Sequence, residues 1–234
     1  MPDFPKETLD DFGLGGIDCP ECNNTGQLIE KGTELLEIHV RECPCMRKRR
    51  SLRSLRKAGM EDMAKRYTFD NYELASPKHQ KVKESAQKFV DANEGWFYIA
   101  GQPGSGKTHI CTAICTGLME RSKEITFMPW RDDSTAIKAR ITDQEWYESK
   151  VKQLKQVPVL YIDDFMKGGM TEADLRLAFE ILNARYNDAS LRTVISSELT
   201  IDKILEADEA LGSRIYERSR GFNVKAPDIN WRLR

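Results

Sequence analysis

The chain reads Gly101-Gln102-Pro103-Gly104-Ser105-Gly106-Lys107-Thr108 immediately after the apolar run 96–100. The pattern G-x-x-x-x-G-K-[ST] between a strand and a helix predicts a phosphate-binding loop. Glycines permit a tight turn whose N–H groups point at phosphate oxygens, and the next helix adds its positive end. We expect Lys107 to reach the β- and γ-phosphates and Thr108 to hold Mg²⁺. The expected nucleotide contacts are Gly101, Pro103, Gly104, Ser105, Gly106, Lys107, Thr108 and His109.

A second strand ends in two carboxylates. Residues 159–162 are apolar, and Asp163 and Asp164 follow. A buried strand would bring Asp163 to the sheet edge beside the loop, where it can bind Mg²⁺ through water. Asp164 would then be placed to polarise the attacking water as a general base. Together with the loop, this strand predicts an enzyme that splits the β–γ bond of a nucleotide.

Short apolar runs alternate with helical stretches from residue 96 onward. This alternation predicts an α/β fold with a parallel sheet covered on both faces. The expected strands are 96–100, 125–128, 159–162, 193–196 and 222–225. The expected helices are 78–92, 107–121, 132–140, 143–155, 171–188 and 201–219. Cys111 and Cys115 fall on one face of a helix, and we expect them in the core.

The composition indicates a globular chain of the cytoplasm. The 234 residues are 40% hydrophobic and 31% charged, and no apolar run approaches the roughly 20 residues that span a bilayer. Residues 1–13 are polar and acidic, unlike a secretory signal. We expect no membrane contact, and in a reducing compartment the six cysteines need an explanation other than disulfides.

Four of the cysteines form two tight pairs near the N-terminus, Cys19/Cys22 and Cys43/Cys45. Four thiolates are the usual ligands of a closed structural zinc site. Segments 28–30 and 35–40 can form a hairpin between the pairs, and His39 is an alternative ligand. Free thiols or a redox pair are the competing interpretation. A segment this short with few large apolar residues needs such a metal to fold.

Residues 41–57 carry eight basic residues and one acidic residue. This net charge of +7 is hidden in a whole-chain charge of -1, so the remainder carries -8. Read as a helix, the segment places Leu52 and Leu55 on one face. Its basic surface can bind nucleic acid or an acidic partner, or it can be a solvated face.

Several polar residues lie where a nucleotide or a neighbouring subunit could meet them. Ser197 and Glu198 follow the strand 193–196 and can sense the γ-phosphate or serve as an ordinary helix cap. Arg214 and Arg218 lie one helical turn apart, which suits either a solvated face or an arginine supplied to a neighbour. Arg232 lies near the end of the sequence.

The ordered set of a CPxC…CPC knuckle, a basic helix, the connector 66–72, a P-loop and an Ile-Asp-Asp strand resembles the DnaC/DnaI-type replicative-helicase loaders. The segments 161–169 and 194–199 look most like the versions of Gram-positive bacteria and their phages. The resemblance covers residues 17–232. It implies an AAA+ core with sheet order 5-1-4-3-2, preceded by a small zinc-binding domain. The implied division is a helicase-interaction domain over 1–57, a linker over 58–75 and an ATPase domain over 76–234.

The resemblance also assigns roles. Gly104, Gly106, Lys107 and Thr108 match Walker A, and Asp163 and Asp164 match Walker B. Ser197 and Glu198 fall at sensor 1, Arg214 matches the arginine finger presented to a neighbouring copy, and Arg232 matches sensor 2. Phe69 is expected beside the adenine, and Trp130, Arg131 and Lys138 are expected to face DNA. The zinc domain would bind the hexameric helicase of DnaB type, and the ATPase domain would bind single-stranded DNA.

The implied function is an ATP-dependent loader with slow turnover on its own, requiring ATP, Mg²⁺ and Zn²⁺. Sensor 1 is usually Asn in AAA+ proteins, and here Ser197 or Glu198 stands instead. Two alternatives remain. A transposition accessory ATPase of the IstB type shares the core but commonly lacks the cysteine knuckle. A nucleotide-switched adaptor with negligible hydrolysis would fit Asp164 in place of the commoner Glu.

Overall fold

The computed structural model describes residues 18–31 and 38–233. The polar stretch 1–13 and the part of the predicted hairpin over residues 35–37 lie outside this range. These described residues form two sheets: a hairpin of β1 (Gln27–Lys31) and β2 (Ile38–Glu42), and a sheet of five parallel strands. The five are β3 (Trp96–Ala100), β4 (Ile125–Pro129), β5 (Val159–Phe165), β6 (Arg192–Ser197) and β7 (Asn223–Lys225).

The strand order of the large sheet is β4-β5-β6-β3-β7. Counted from β3 as the first strand, this is the order 5-1-4-3-2, which confirms the predicted topology. Every residue of β3 is buried, as expected for a central strand covered on both faces. Its side chains alternate, with Trp96 and Tyr98 in one hydrophobic cluster and Phe97 and Ile99 in the other. The core is therefore two layers, one on each face of the sheet.

Helices fill both layers. One cluster is formed with α1 (Cys45–Lys57), α2 (Glu61–Arg66), α3 (Pro77–Asp91) and α4 (Lys107–Glu120). The other contains α5 (Trp130–Ala139), α6 (Gln144–Gln156), α7 (Glu172–Tyr186), α8 (Ile201–Ala207) and α9 (Glu209–Ser219). A 3₁₀ turn, Trp231–Leu233, follows β7. Within the described part of the chain, no helix has the length and apolar character needed to span a bilayer.

The predicted helix over 201–219 is two helices, and the single-helix expectation is wrong. Asp208 separates α8 from α9 with an extended backbone, φ −153°. Its carboxylate accepts a hydrogen bond from the backbone N–H of Leu211, which is the geometry of an N-cap. The second helix therefore begins at its own N-cap, and Arg214 lies on this second helix.

The basic helix α1 packs on the five-stranded sheet. Leu55 is 2% exposed in the same cluster as the strands, and Leu52 packs against that cluster, so the predicted apolar face of the helix is confirmed. The Ser51 and Ser54 hydroxyls accept hydrogen bonds from the N–H groups of Ile125 and Phe127 on the edge strand β4, each at 2.8 Å. The division into 1–57, 58–75 and 76–234 stays a prediction, but α1 contacts the sheet directly.

Candidate nucleotide-binding site and metal centre

The phosphate-binding loop joins β3 to α4 at the carboxyl edge of the sheet. Gly104 and Gly106 have φ of +74° and +85°, which only glycine adopts readily. A Cβ on Gly104 would also clash with the side-chain oxygen of Asn230. Lys107 is 5% exposed, and its ammonium donates to the carbonyls of Gly101 at 2.8 Å and Gln102 at 2.9 Å. Burial lowers the pKa of Lys107.

Most of the predicted nucleotide contacts line one cleft beside this loop. They are Pro103, Gly104, Ser105, Gly106, Lys107, Thr108, His109, Glu198 and Arg232, and the predicted base Asp164 lines the same cleft. Gly101 contributes its carbonyl to Lys107 instead. The cleft therefore holds cations from the loop and from the C-terminal turn. It also holds two carboxylates from the ends of two neighbouring strands.

Asp163 is oriented by hydroxyl groups. Its Oδ1 accepts hydrogen bonds from Tyr161 and Ser196, each at 2.6 Å, and from Thr108 at 3.2 Å. Two Mg²⁺ ligands at right angles stand about 3 Å apart, so the Thr108 and Asp163 oxygens fit one Mg²⁺ ion.

A bulge in the sheet places both acidic residues against one serine. β5 and β6 pair at Ile162 with Ile195 and next at Phe165 with Ser197. Asp163 and Asp164 therefore lie opposite Ser196 alone. The Ser196 hydroxyl donates to Asp163 and accepts from the N–H of Asp164 at 2.9 Å. The bulge gives Asp164 a left-handed backbone, φ +51°, and turns its side chain into the cleft.

Ser196, Tyr161 and Lys167 are site residues that the sequence interpretation missed. Tyr161 could have been found, since residues two apart on a strand share a face, and Tyr161 lies two before Asp163. Ser196 depends on the register of the bulge, which no local pattern shows. Lys167 contacts Asp164 from a loop whose course follows the bulge.

Ser197 is not at the cleft, which corrects the sensor prediction for this residue. It is fully buried, its hydroxyl donates to the Phe165 carbonyl at 2.9 Å, and it accepts from the Leu199 N–H at 3.0 Å. It is not a helix cap either, because the residue before α8 is Thr200. Of the pair, only Glu198 lines the cleft.

The connector meets the cleft through tyrosines and not through Phe69. Phe69 packs against the α4 side of the core, near Gly117. Tyr67 stacks on His109 with ring centres 4.7 Å apart, and Tyr72 contacts the same ring edge-on at 5.2 Å. Burial lowers the pKa of His109, whose Nε2 lies 2.8 Å from the Thr68 carbonyl. Tyr67 and Tyr72 therefore border the nucleotide cleft, and the predicted Phe69 does not.

The predicted DNA-facing residues separate in the structure. Trp130 is 1% exposed and packs edge-on against Phe165 at 4.9 Å, so the expectation that it faces DNA is wrong. Trp130 is the first residue of α5, and its large apolar indole lies in the core. Lys138 forms an ion pair with the mostly buried Asp174. Arg131 is exposed and borders a shallow groove next to Asp163 and Asp164.

The two arginines of α9 are held by their own chain. Arg214 donates to the side-chain oxygen of Asn183 at 2.8 Å and to the Ala210 carbonyl at 2.7 Å, and its guanidinium lies over the ring of Phe179. Arg218 donates to the Ala189 carbonyl at 3.1 Å. Neither lines the chain's own nucleotide cleft. The role of Arg214 toward a neighbouring copy stays a prediction.

The four N-terminal cysteines converge. Their sulfurs all lie within 4.8 Å of one another, with 3.7 Å between Cys19 and Cys43 and 3.6 Å between Cys22 and Cys45. Four sulfurs about 2.3 Å from a tetrahedral zinc stand about 3.8 Å apart, so the cluster can hold this metal. His39 lies opposite Glu30 on the exposed strand β2 and is not part of the cluster. Cys111 and Cys115 are fully buried, which confirms their place in the core.

The hairpin above the cluster has an exposed apolar face, which we define as Ile29, Ile38 and Val40. Ile29 pairs with Val40 across the strands, and Ile38 lies two residues from Val40 on the same face. Their exposed fractions are 72%, 64% and 58%. The opposite face carries Leu28, which packs against the cysteines. The hairpin thus presents apolar side chains to solvent, away from its metal-binding side.

The basic residues of α1 are partly neutralised. Arg49 is buried and donates to the Asn24 side-chain oxygen at 2.7 Å, which also accepts from the Cys19 N–H. Arg50 forms ion pairs with Glu42 and Glu124. Part of the basic segment therefore fastens the cysteine cluster and the sheet. Lys48 and Lys57 remain exposed.

A phosphate-binding loop and an acidic strand end on a 5-1-4-3-2 sheet define an AAA+ core. A model of the family described as IstB-like ATP binding protein matches residues 24–220. The chain belongs to this family.

Relatives extend the similarity over most of the chain. YqaM, an uncharacterized protein of Bacillus subtilis (strain 168), is 32% identical over 92% of this chain and 69% of its own. XkdC, a protein of the phage-like element PBSX of the same bacterium, is 30% identical over 92% of this chain and 86% of its own. The replicative helicase loader DnaC of Escherichia coli (strain K12) is 26% identical over 76% of this chain and 73% of its own. An ATP-binding protein of insertion sequence IS21 from Pseudomonas aeruginosa is 28% identical over 81% of this chain and 76% of its own.

Solved structures share the fold. The crystal structure of DnaI superposes with a TM-score of 0.60 at 22% identity, covering 71% of this chain and 94% of DnaI. The DnaC helicase loader gives 0.58 at 21% identity, covering 70% of this chain and 99% of that one. The predicted resemblance to DnaC/DnaI-type proteins is confirmed.

Proposed function

We propose that this protein is an ATP-dependent loader that binds a hexameric replicative DNA helicase of DnaB type and places it on single-stranded DNA. The observation that carries the proposal is the exposed apolar face of the hairpin, joined in one chain to a nucleotide site. A P-loop site alone is common to many functions. An exposed cluster of large apolar side chains on a small metal-held module indicates a protein partner.

The nucleotide site supports ATP hydrolysis as the step that ends the interaction. Thr108 and Asp163 would hold Mg²⁺, which neutralises charge on the β- and γ-phosphates. Lys107 would bind those phosphates, and Asp164 would accept the proton of the attacking water. The Ser197 hydroxyl is not available for the γ-phosphate, because it donates to the Phe165 carbonyl and accepts from the Leu199 N–H. We therefore expect slow turnover of the isolated protein, because this set of contacts is incomplete.

Two further contacts belong to the proposal. Arg131 is exposed beside Asp163 and Asp164 and would meet single-stranded DNA near the carboxyl edge of the sheet. Lys138 could do so only by leaving Asp174. Arg214 would reach the nucleotide of a neighbouring copy when several copies assemble on the helicase ring. It would first have to release Asn183 and the Ala210 carbonyl.

The test is a pull-down of purified hexameric helicase by the full chain, with and without ATP. The double substitution Ile29→Ser with Val40→Ser should weaken helicase binding at least about tenfold, because buried apolar anchors dominate such interfaces. ATP binding should be unchanged. The control is Glu30→Ser, which alters an exposed residue on the opposite face of the same hairpin. Equal helicase binding by all three proteins would contradict the proposal.

A transposition accessory ATPase is a second candidate, favoured by the IS21 relative and by the family description. In that case the same apolar face would capture a transposase in the pull-down and leave the helicase unbound. A nucleotide-switched adaptor without hydrolysis is a third candidate, favoured by the short side chain of Asp164. It predicts ATP-dependent helicase binding without phosphate release, which a phosphate assay on the complex would detect.

A further inference from the structure

Lys167 lines the nucleotide cleft, and none of the motifs described above gives it a role. It lies in the loop after β5, and its ammonium is 2.6 Å from Oδ2 of Asp164 and 3.7 Å from Oε1 of Glu198. The side chains of Lys167 and Asp164 are 39% and 30% exposed. The pKa of Lys167 is raised, chiefly by its hydrogen bond to Asp164. The lysine is therefore charged and bound to the carboxylate expected to act as the base.

The backbone builds this contact locally. Asp164 and Met166 both have left-handed φ, +51° and +59°, and the Lys167 N–H donates to the Asp164 carbonyl at 3.0 Å. This tight turn brings the ammonium back onto the carboxylate three residues earlier. Gly168 and Gly169 follow with φ of +98° and +124°, and no atom lies within 4 Å of a Cβ built on either. Lys167 therefore sits on a turn followed by an open, glycine-rich segment.

The contact bears directly on the proposed chemistry. In hydrolysis the water oxygen bonds to the γ-phosphorus, the bond from that phosphorus to the β–γ bridging oxygen breaks, and ADP leaves with the electron pair. The water proton passes to a carboxylate oxygen of Asp164. While Lys167 donates to Oδ2, that oxygen is engaged and the carboxylate is held in one orientation.

We propose that Lys167 is a positioning residue that restrains Asp164 and keeps basal hydrolysis slow until it is drawn away from the carboxylate. This inference rests on the proposed hydrolysis by Asp164. Lys107, the other lysine of the cleft, cannot serve this role because its ammonium is bound to two loop carbonyls. The residue that restrains Asp164 therefore lies in the loop after β5 and not in the phosphate-binding loop.

The experiment measures steady-state phosphate release and ATP binding by the full chain. Lys167→Met and Lys167→Gln should raise kcat about two- to fivefold, the range set by partly exposed ion pairs. KM for ATP should change less than about twofold, because in the proposal the loop lysine acts on the base. Lys167→Arg keeps the charge and should return kcat toward the wild-type value. Lys203→Met removes a positive charge from an exposed position of α8 and is the matched control.

Each outcome decides the matter. A fall or no change in kcat for both neutral variants would overturn the inference while leaving wild-type hydrolysis, and so the proposed function, intact. An equal rise in Lys167→Arg or Lys203→Met would also overturn it. Adding Asp164→Asn to Lys167→Met should remove the gain, and a gain that persists contradicts action through Asp164. If every variant binds ATP and none releases phosphate, the proposed hydrolysis itself fails, and the inference fails with it.

Discussion

Replacing Ser196 with alanine should disturb the Mg²⁺ site, whereas the same change at Ser197 should not. The two serines are neighbours on β6, both are fully buried, and each hydroxyl makes two hydrogen bonds. Only Ser196 contacts the acidic pair, through Asp163 and the N–H of Asp164. Comparing the two variants therefore separates the effect of losing a buried hydroxyl from the effect of losing a contact to the acidic pair.

The expected cost in stability follows from these bonds. Ser196→Ala removes a hydrogen bond to a carboxylate and also the hydrogen bond from the N–H of Asp164, which together cost about 3 kcal/mol in the free energy of unfolding. For a chain of this size that lowers Tm by roughly 6–12 °C. Ser197→Ala breaks bonds to two neutral groups and should cost about 2 kcal/mol. Thermal unfolding followed by circular dichroism measures both.

The two variants should differ more in activity than in stability. Without Ser196, the Asp163 carboxylate retains hydrogen bonds from Tyr161 and Thr108 only. The Mg²⁺ concentration for half-maximal ATPase should rise by about tenfold, as for other residues that orient a metal ligand. Ser197→Ala should keep the wild-type Mg²⁺ dependence. The reasoning is refuted if both variants shift it equally, or if Ser197→Ala shifts it more.

Lys107→Ala should abolish nucleotide binding, measured with a fluorescent ATP analogue, and wild-type affinity would remove the phosphate-binding role of the loop. The full chain should contain about one zinc per molecule by metal analysis, and Cys22→Ser should lower that content; a folded, zinc-free wild type would contradict the cluster assignment. Leu55→Ala should destabilise the AAA+ core by about 2–5 kcal/mol, because α1 packs on it, and an unchanged denaturation midpoint would show that α1 is an independent appendage.

The fold could be predicted because its signals are local. The loop 101–108 and the carboxylates after residue 162 both lie at strand ends, and the apolar runs between helices locate the parallel strands. The sheet order came from the family resemblance. The convergence of the four cysteines was also predictable, because two closely spaced pairs of cysteines are typical of a shared metal site.

The finer geometry of the site depends on register and burial. The contacts of Ser196 arise from a two-residues-to-one bulge, and a shift of one residue would have placed Ser197 there instead. The burial of Trp130 could not be predicted, because the sequence of an aromatic residue followed by an arginine is the same whether the aromatic side chain is buried or exposed. Asp208 divides the last predicted helix through a capping hydrogen bond, although the apolar spacing continues across it.

The serine hydroxyls of α1 have a consequence for how copies of this protein can meet. They bind the outward N–H groups of β4, so this edge of the sheet is closed to an added strand. The other edge, β7, has only three residues. If copies assemble on a helicase ring as proposed, they would touch through side chains, and Arg214 is the one proposed above. Such contacts are screened by salt, so self-association should weaken as ionic strength rises.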